Sequence, residues 1–482
     1  MTQTLPEATL LIGGDRVTGS GGSYEHIYAA TGKPNTTVEL AGPDDMDRAI
    51  ASAREAQREW ISLPPARRRD LLMGLADIVA AHFEELSLLN VHDYAVPVSR
   101  AGHSYLTEKY IRYYAGYADK AHGTSAPGAG RGDVNLIERE PYGVVAAILP
   151  WNGPLVPVGL NVAPALAAGN AVVVKPAELN PFAPLRFGEL CLEAGLPAGL
   201  VNVVPAGPAG GEALVGHPGI DKVHFTGGGG TARKILATAA RNLTPVATEL
   251  GGKSADIVFA DADLDFAAQL AAMQGPITQS GQSCSCSSRI FVQDSIYDAF
   301  IGKFIAAVQQ ATIGDPLDPA VVFGPVVSQA AVDRIMGVID QAVDQHMGEL
   351  ILGGKRMGGE LAEGYYIEPT VFADVDNRSP LAVEETFGPV VSVMRFRDED
   401  EAVALANDTV YGLNAFLQTN DLGRAHRVAR RLQAGSVWVN YFSDLSPQSP
   451  YGGYKQSGSG RAGGLEGLYE FLQVKNIRIA IQ

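Results

Sequence analysis

Between residues 144 and 250 short β-branched runs (144–149, 171–174, 201–204, 223–225, 246–247) alternate with stretches of helical character. Apolar runs without polar alternation belong to strands buried on both faces, and parallel strands need helical crossovers of this length. The pattern predicts a mostly parallel, doubly wound sheet with ligand sites at the carboxyl ends of its strands. Residues 251 to about 450 repeat the alternation: strands over 289–292, 366–372, 390–396 and 436–440, with helices over 295–311, 328–345 and 399–407. The expected fold class is α/β, with two doubly wound units.

Before and after these units the periodicity changes. The first forty residues have short apolar runs between Gly-rich turns and read as a small β layer. Residues 43–120 carry apolar side chains at helical spacing, Met46, Ala49, Ile50 and Ala53 first, then Leu71, Leu72, Leu75 and Ile78. The tyrosines at 105, 110, 113, 114 and 117 read as packing at that spacing. Residues 133–140 and 474–481 alternate with period two, as half-buried strands do, and the second would leave an edge to pair or cover.

The 482 residues are 46% hydrophobic with a formal charge of −16, which supports full cores and opposes binding to nucleic acid or an anionic membrane. The first seven residues lack the basic start and apolar run of a secretory signal, and the apolar region 144–174 is broken by prolines and asparagines. Three cysteines, Cys191, Cys284 and Cys286, make neither a disulfide framework nor a paired metal-ligand motif. A cytoplasmic protein without a resident metal is expected.

Several stretches carry chemistry. Cys284 sits in Gln279-Ser280-Gly281-Gln282-Ser283-Cys284-Ser285-Cys286, where small polar neighbours leave a thiol accessible and backbone N–H groups favour the thiolate. Glu249 ends an apolar run before Gly251-Gly252, and Asn152 lies in the turn Pro150-Trp151-Asn152-Gly153-Pro154. Glu178, just beyond the second strand, can bond a ribose 2′-hydroxyl and repel a 2′-phosphate, with Lys175 as a second ribose ligand that tolerates phosphate. The run Thr226-Gly227-Gly228-Gly229-Gly230-Thr231 joins a strand to a helix start and suits a pyrophosphate.

In order, Pro150-Trp151-Asn152, Lys175-Pro176-Ala177-Glu178, Glu249-Leu250-Gly251-Gly252-Lys253, Gly281-Gln282-Ser283-Cys284, Glu385-Thr386-Phe387-Gly388-Pro389 and Pro450-Tyr451-Gly452-Gly453-Tyr454-Lys455 resemble the motifs of the aldehyde dehydrogenase superfamily. The resemblance covers nearly the whole chain. It implies a Rossmann-like NAD-binding domain (1–122 and 142–250), a catalytic domain (251–460) and a small β oligomerisation arm (123–141 and 461–482). It further implies a homo-oligomer, dimer or tetramer, that oxidises a small-molecule aldehyde to a carboxylic acid. Cys284 would be the nucleophile, Asn152 with the Cys284 N–H the oxyanion site, and Glu249 the base that hydrolyses a thioester. Pro150, Trp151, Lys175, Glu178, Gly227, Gly228, Leu250, Gly251, Glu385 and Phe387 would hold the cofactor. NAD is expected, with NADP as the alternative. Transfer of the acyl group to coenzyme A is the rival within the fold, and relatives that do this generally lack the Glu249 carboxylate. A cysteine hydrolase would need a histidine aimed at the thiol, and none of the nine lies in such a motif.

The chain also departs from the family. Gly228 and Ala232 replace a common Ser and Gly, while Asn161 and Ala462 stand where many relatives carry a proton-relaying Lys and Glu; water is then the expected exit for the proton of Glu249. Around the access tunnel, Gly153, Pro157, Leu160 and Leu445 take places where bulky or aromatic residues are common, and Tyr451 keeps one ring. A wide, apolar pocket for bulky apolar or aromatic aldehydes is expected, unless neighbouring loops fill it.

Overall fold

The computed structural model describes residues 5, 7–101, 104–127 and 133–480. Most of the first seven residues, the middle of the expected arm (128–132) and Ile481 lie outside them. No helix among the described residues is long and apolar enough to cross a membrane.

The first sheet has eight strands in the order Gly458–Ser459, Val246–Glu249, Lys222–Thr226, Val144–Ile148, Ala171–Lys175, Val201–Val203, Leu10–Ile12, Asp15–Val17. The middle five are parallel. They are the predicted apolar runs, and all but the strand ends are buried. From Val144–Ile148 the chain winds outward twice, then returns to the other side of that strand at Lys222–Thr226. The turn holding Asn152 and the glycine loop 227–230 therefore emerge side by side at the switch point, where open α/β sheets bind ligands.

The second sheet runs Glu349–Leu352, Thr370–Ala373, Val390–Phe396, Arg289–Gln293, Ala255–Val258, Asn414–Gln418, Ser436–Val439, parallel except at its first pair. Its arrangement toward the first is inverted. Glu249 ends a strand of the first sheet, and Ala255, six residues on, begins the centre of the second, so carboxyl ends of one sheet meet amino ends of the other. The segments before Ala255, Arg289, Val390 and Asn414 thus converge on the same space.

Some expectations are corrected. Leu10–Ile12 and Asp15–Val17 are no separate layer but the antiparallel edge of the first sheet, Leu11 pairing with Val203; only Ser23–Tyr28 and Lys33–Glu39 form a small sheet of their own. The strand expected at 366–372 begins at Thr370, because Pro369 has no N–H to give to a ladder. The helical layer consists of Pro43–Ser62, Pro65–Ala81, Phe83–Tyr94 and Ser104–Ala115. Tyr110 and Tyr114 are fully buried there, but Tyr105 is exposed. Leu472–Ile479, Val134–Pro141 and Thr124–Ala126 form an antiparallel sheet that leaves Val474 and Ile479 exposed.

Candidate active site

Two helices loosen into π-helical turns where they approach the site, a distortion common at functional positions. One, Val158–Val162, follows the Asn152 turn; the other, Met273–Ile277, ends the helix Leu264–Ala272 and leads into the cysteine loop. Gln279 and Ser280 then take left-handed conformations, φ 51° and 54°, reversing the chain sharply toward Cys284. Gln282 pins this loop: its side-chain oxygen accepts from the Val327 N–H at 2.9 Å, and its amide donates to the Gln279 carbonyl at 3.1 Å. The main-chain oxygen of Gln282 accepts from Asn152 Nδ2 at 2.8 Å, so the asparagine amide is oriented by the loop that carries the thiol.

Cys284 is partly exposed at the floor of a cleft of about 180 Å³. Asn152, Glu249, Pro150, Leu250, Gly153, Pro157, Leu160, Leu445 and Tyr451 line the same cleft. The departures Asn161 and Ala462 line it too. Burial pushes the Cys284 thiol up to about 11; Tyr451 and the residue's own N–H act the other way, and the charges of Glu385 and Glu249 add to the rise. Its near neighbour Cys286 is buried and pushed higher still, to about 12.

Burial also raises the Glu249 carboxyl well above its usual range, opposed by the Arg461 charge and reinforced by Glu470. Neither Glu249 oxygen has a hydrogen-bond partner among the described residues. Glu470 in turn accepts from Lys222 Nζ at 3.0 Å. The surroundings of Glu249 therefore hold a second carboxylate, which the sequence reading did not foresee.

The remaining expected cofactor residues lie outside the cleft. Glu385 folds onto the Gly251-Gly252 turn, accepting from Gly252 N–H at 3.0 Å; a Cβ on Gly251 would stand 2.0 Å from its Oε2. A Cβ on Gly252 would come within 2.9 Å of the Cys284 carbonyl, so this turn must be bare for strand and cysteine loop to meet. Phe387 meets Trp151 edge to face, ring centres 5.5 Å apart. Lys175 is buried, with Nζ on the Pro176 carbonyl at 3.2 Å, and the Glu178 charge acts on it. Gly228 and Gly230 have open space where side chains would stand, at the start of the helix Gly229–Ala239.

A family-wide sequence model described as the aldehyde dehydrogenase family matches residues 17–477. The chain belongs to the aldehyde dehydrogenase family. Solved structures agree with that membership. Betaine aldehyde dehydrogenase from Staphylococcus aureus, in complex with NAD+, is 36% identical over 98% of this chain and 94% of that one, with a TM-score of 0.95. PnpE from Pseudomonas sp. WBC-3 is 38% identical over 98% of both chains, TM-score 0.95. Indole-3-acetaldehyde dehydrogenase, also in complex with NAD+, is 36% identical over 100% of this chain and 98% of that one, TM-score 0.95.

This aldehyde dehydrogenase also lines its cleft with residues the sequence reading missed: Asn90, Tyr94, Tyr105, Gln279, Ser443 and Asp444. Tyr94 ends its helix at the left-handed Ala95, φ 56°, a conformation that the sequence does not announce. The space beside Gly153 is not simply vacant. A Cβ there would stand 3.7 Å from Gln279 Nε2 and 3.8 Å from Tyr94 Oη, so polar groups occupy the surroundings of the missing aromatic ring. Gly153 itself has φ +141°, a conformation that strains any side chain.

Proposed function

We propose that the protein oxidises an aldehyde to a carboxylic acid with NAD, through a hemithioacetal and a thioester on Cys284. The observation that carries this is the meeting of Cys284, Asn152 and Glu249 in one cleft. The thiolate attacks the carbonyl carbon, while the Asn152 amide and the Cys284 N–H receive the oxyanion; loss of one such donor typically costs about 3–4 kcal/mol of barrier. One N–H of the Asn152 amide is committed to Gln282, and the other is left for substrate. When bound, the dinucleotide supplies the hydride acceptor. Glu249, unpaired and buried, takes the proton of the water that cleaves the thioester. The residues present fit the cofactor: the open glycine loop suits the pyrophosphate, Glu178 and Lys175 the adenosine ribose, and Glu385 with Phe387 and Trp151 the nicotinamide end. Glu178 favours NAD over NADP. The retained Glu249 favours hydrolysis over transfer to coenzyme A.

The substrate reading follows from size and charge. An apolar cavity of about 150 Å³ holds benzene, so a cleft of about 180 Å³ suits a single-ring or branched aldehyde rather than a fused ring system. Its lining includes the acids Glu249 and Asp444 but, among the described residues, no Lys, Arg or His. Carboxylate-bearing semialdehydes are therefore disfavoured. With NAD in excess, benzaldehyde should give a higher kcat/KM than acetaldehyde, 4-carboxybenzaldehyde or naphthaldehyde. A preference for the short or the carboxylated aldehyde would contradict the reading.

The domain division 1–122 with 142–250, 251–460, and 123–141 with 461–482 belongs to the same proposal. The arm's free edge and its exposed Val474 and Ile479 support a homo-oligomer in which the arm extends a neighbouring subunit's sheet. Sedimentation of Val474→Lys against the unaltered protein tests it, a smaller species being expected. The cytoplasm is the proposed location.

A further inference from the structure

We infer that Tyr451 is a catalytic residue as well as a wall of the cleft: its phenol donates a hydrogen bond to the Cys284 sulfur and stabilises the thiolate. The inference rests on the reading of Cys284 as nucleophile. Tyr451 Oη lies 3.8 Å from Cys284 Sγ, within reach of a hydrogen bond to sulfur. The ring is 7% exposed and its backbone is fixed by a reciprocal pair with Ala462, Tyr451 N–H to the Ala462 carbonyl at 2.6 Å and Ala462 N–H to the Tyr451 carbonyl at 2.8 Å.

Everything else titratable that faces the sulfur works against its ionisation. Glu249 and Glu385 approach from their own segments, and Cys286 lies in the same loop. Among the described residues no cation acts on it. Burial holds the phenol well above its usual range, so it keeps its proton and acts as donor, never as base. A donor bonded to the charged form of an acid lowers its pKa, and among the described residues the phenol and the Cys284 N–H do so.

The test is the pH dependence of Cys284 alkylation by iodoacetamide, in which sulfur displaces iodide, followed by peptide mapping in the full-length protein and in Tyr451→Phe. Removing the hydroxyl should move the inflection to higher pH and slow alkylation about tenfold at a fixed pH below it, one pH step being tenfold in thiolate. A structural role alone predicts the opposite sign, because a loosened ring admits water and lowers a thiol pKa that burial has raised. An unchanged or lowered inflection overturns the assignment. Dehydrogenase activity of the alkylated protein separates the two readings: retained activity would remove Cys284 as nucleophile, whereas an unmoved profile with activity lost removes only the role of Tyr451.

Discussion

Two carboxylates, the buried Glu249 and the half-buried Glu385, flank the Gly251-Gly252 turn, and they are held differently. Glu385 is fixed by the Gly252 N–H and lies within the fields of Lys253 and Arg334. Burial raises its carboxyl, but these partners draw it back toward the charged form. Glu249 has no such bond; burial raises it, the Arg461 charge opposes that rise, and a second acid, Glu470, adds to it. A carboxylate fixed by donors suits a ligand role, since its geometry and charge are set in advance. One left unpaired in a low-dielectric site suits proton exchange, since small changes around it move its protonation.

The comparison depends first on the thiol, because both acids are read by their relation to Cys284. Cys284→Ala should lower kcat by at least about a thousandfold, while Cys286→Ala keeps most activity; equal losses measured in steady state would break the scheme at its root. The contrast between the acids then shows in pH. Glu249 is protonated below its raised pKa and accepts a proton only above it. Turnover limited by hydrolysis should therefore climb with pH until that raised pKa is passed, about tenfold per pH step well below it, and Glu249→Gln should flatten the profile. Glu385→Gln should keep the pH profile and raise the KM for NAD about tenfold, the worth of one charge-assisted hydrogen bond. A flattened pH profile in Glu385→Gln would exchange the two roles. The smallest effect belongs to Glu178→Gln, which should narrow the preference for NAD over NADP severalfold when kcat/KM is measured with both cofactors.

How far the sequence carried varies with the kind of interaction. Strands buried on both faces, such as Ala171–Lys175 and Lys222–Thr226, leave a local apolar signature and were legible. The strands Ala255–Val258 and Asn414–Gln418, central to the second sheet, were not. Asp256 interrupts one, its carboxylate accepting from Gln418 at 3.2 Å, and Asn414–Gln418 contains no β-branched residue. Their burial is set by pairing with each other, which no local pattern reports. The inversion of the two sheets was equally hidden, although the short step from Glu249 to Ala255 forces it. At the site, motifs marked the residues held by backbone geometry. The contact between Tyr451 and Cys284 joins residues 167 positions apart, and the polar groups around Gly153 come from separate elements. Such proximity is a product of the fold, so spacing along the chain does not contain it.

The most direct test of the division between nucleophile and hydrolytic base is rapid mixing of Glu249→Gln with NAD and benzaldehyde, followed by NADH absorbance. The account predicts a burst stoichiometric with Cys284, since oxidation to the thioester needs no proton acceptor at Glu249, and then turnover about 10²–10⁴-fold slower than in the unaltered protein, the range of general-base catalysis. A missing burst with near-normal steady-state turnover would contradict it.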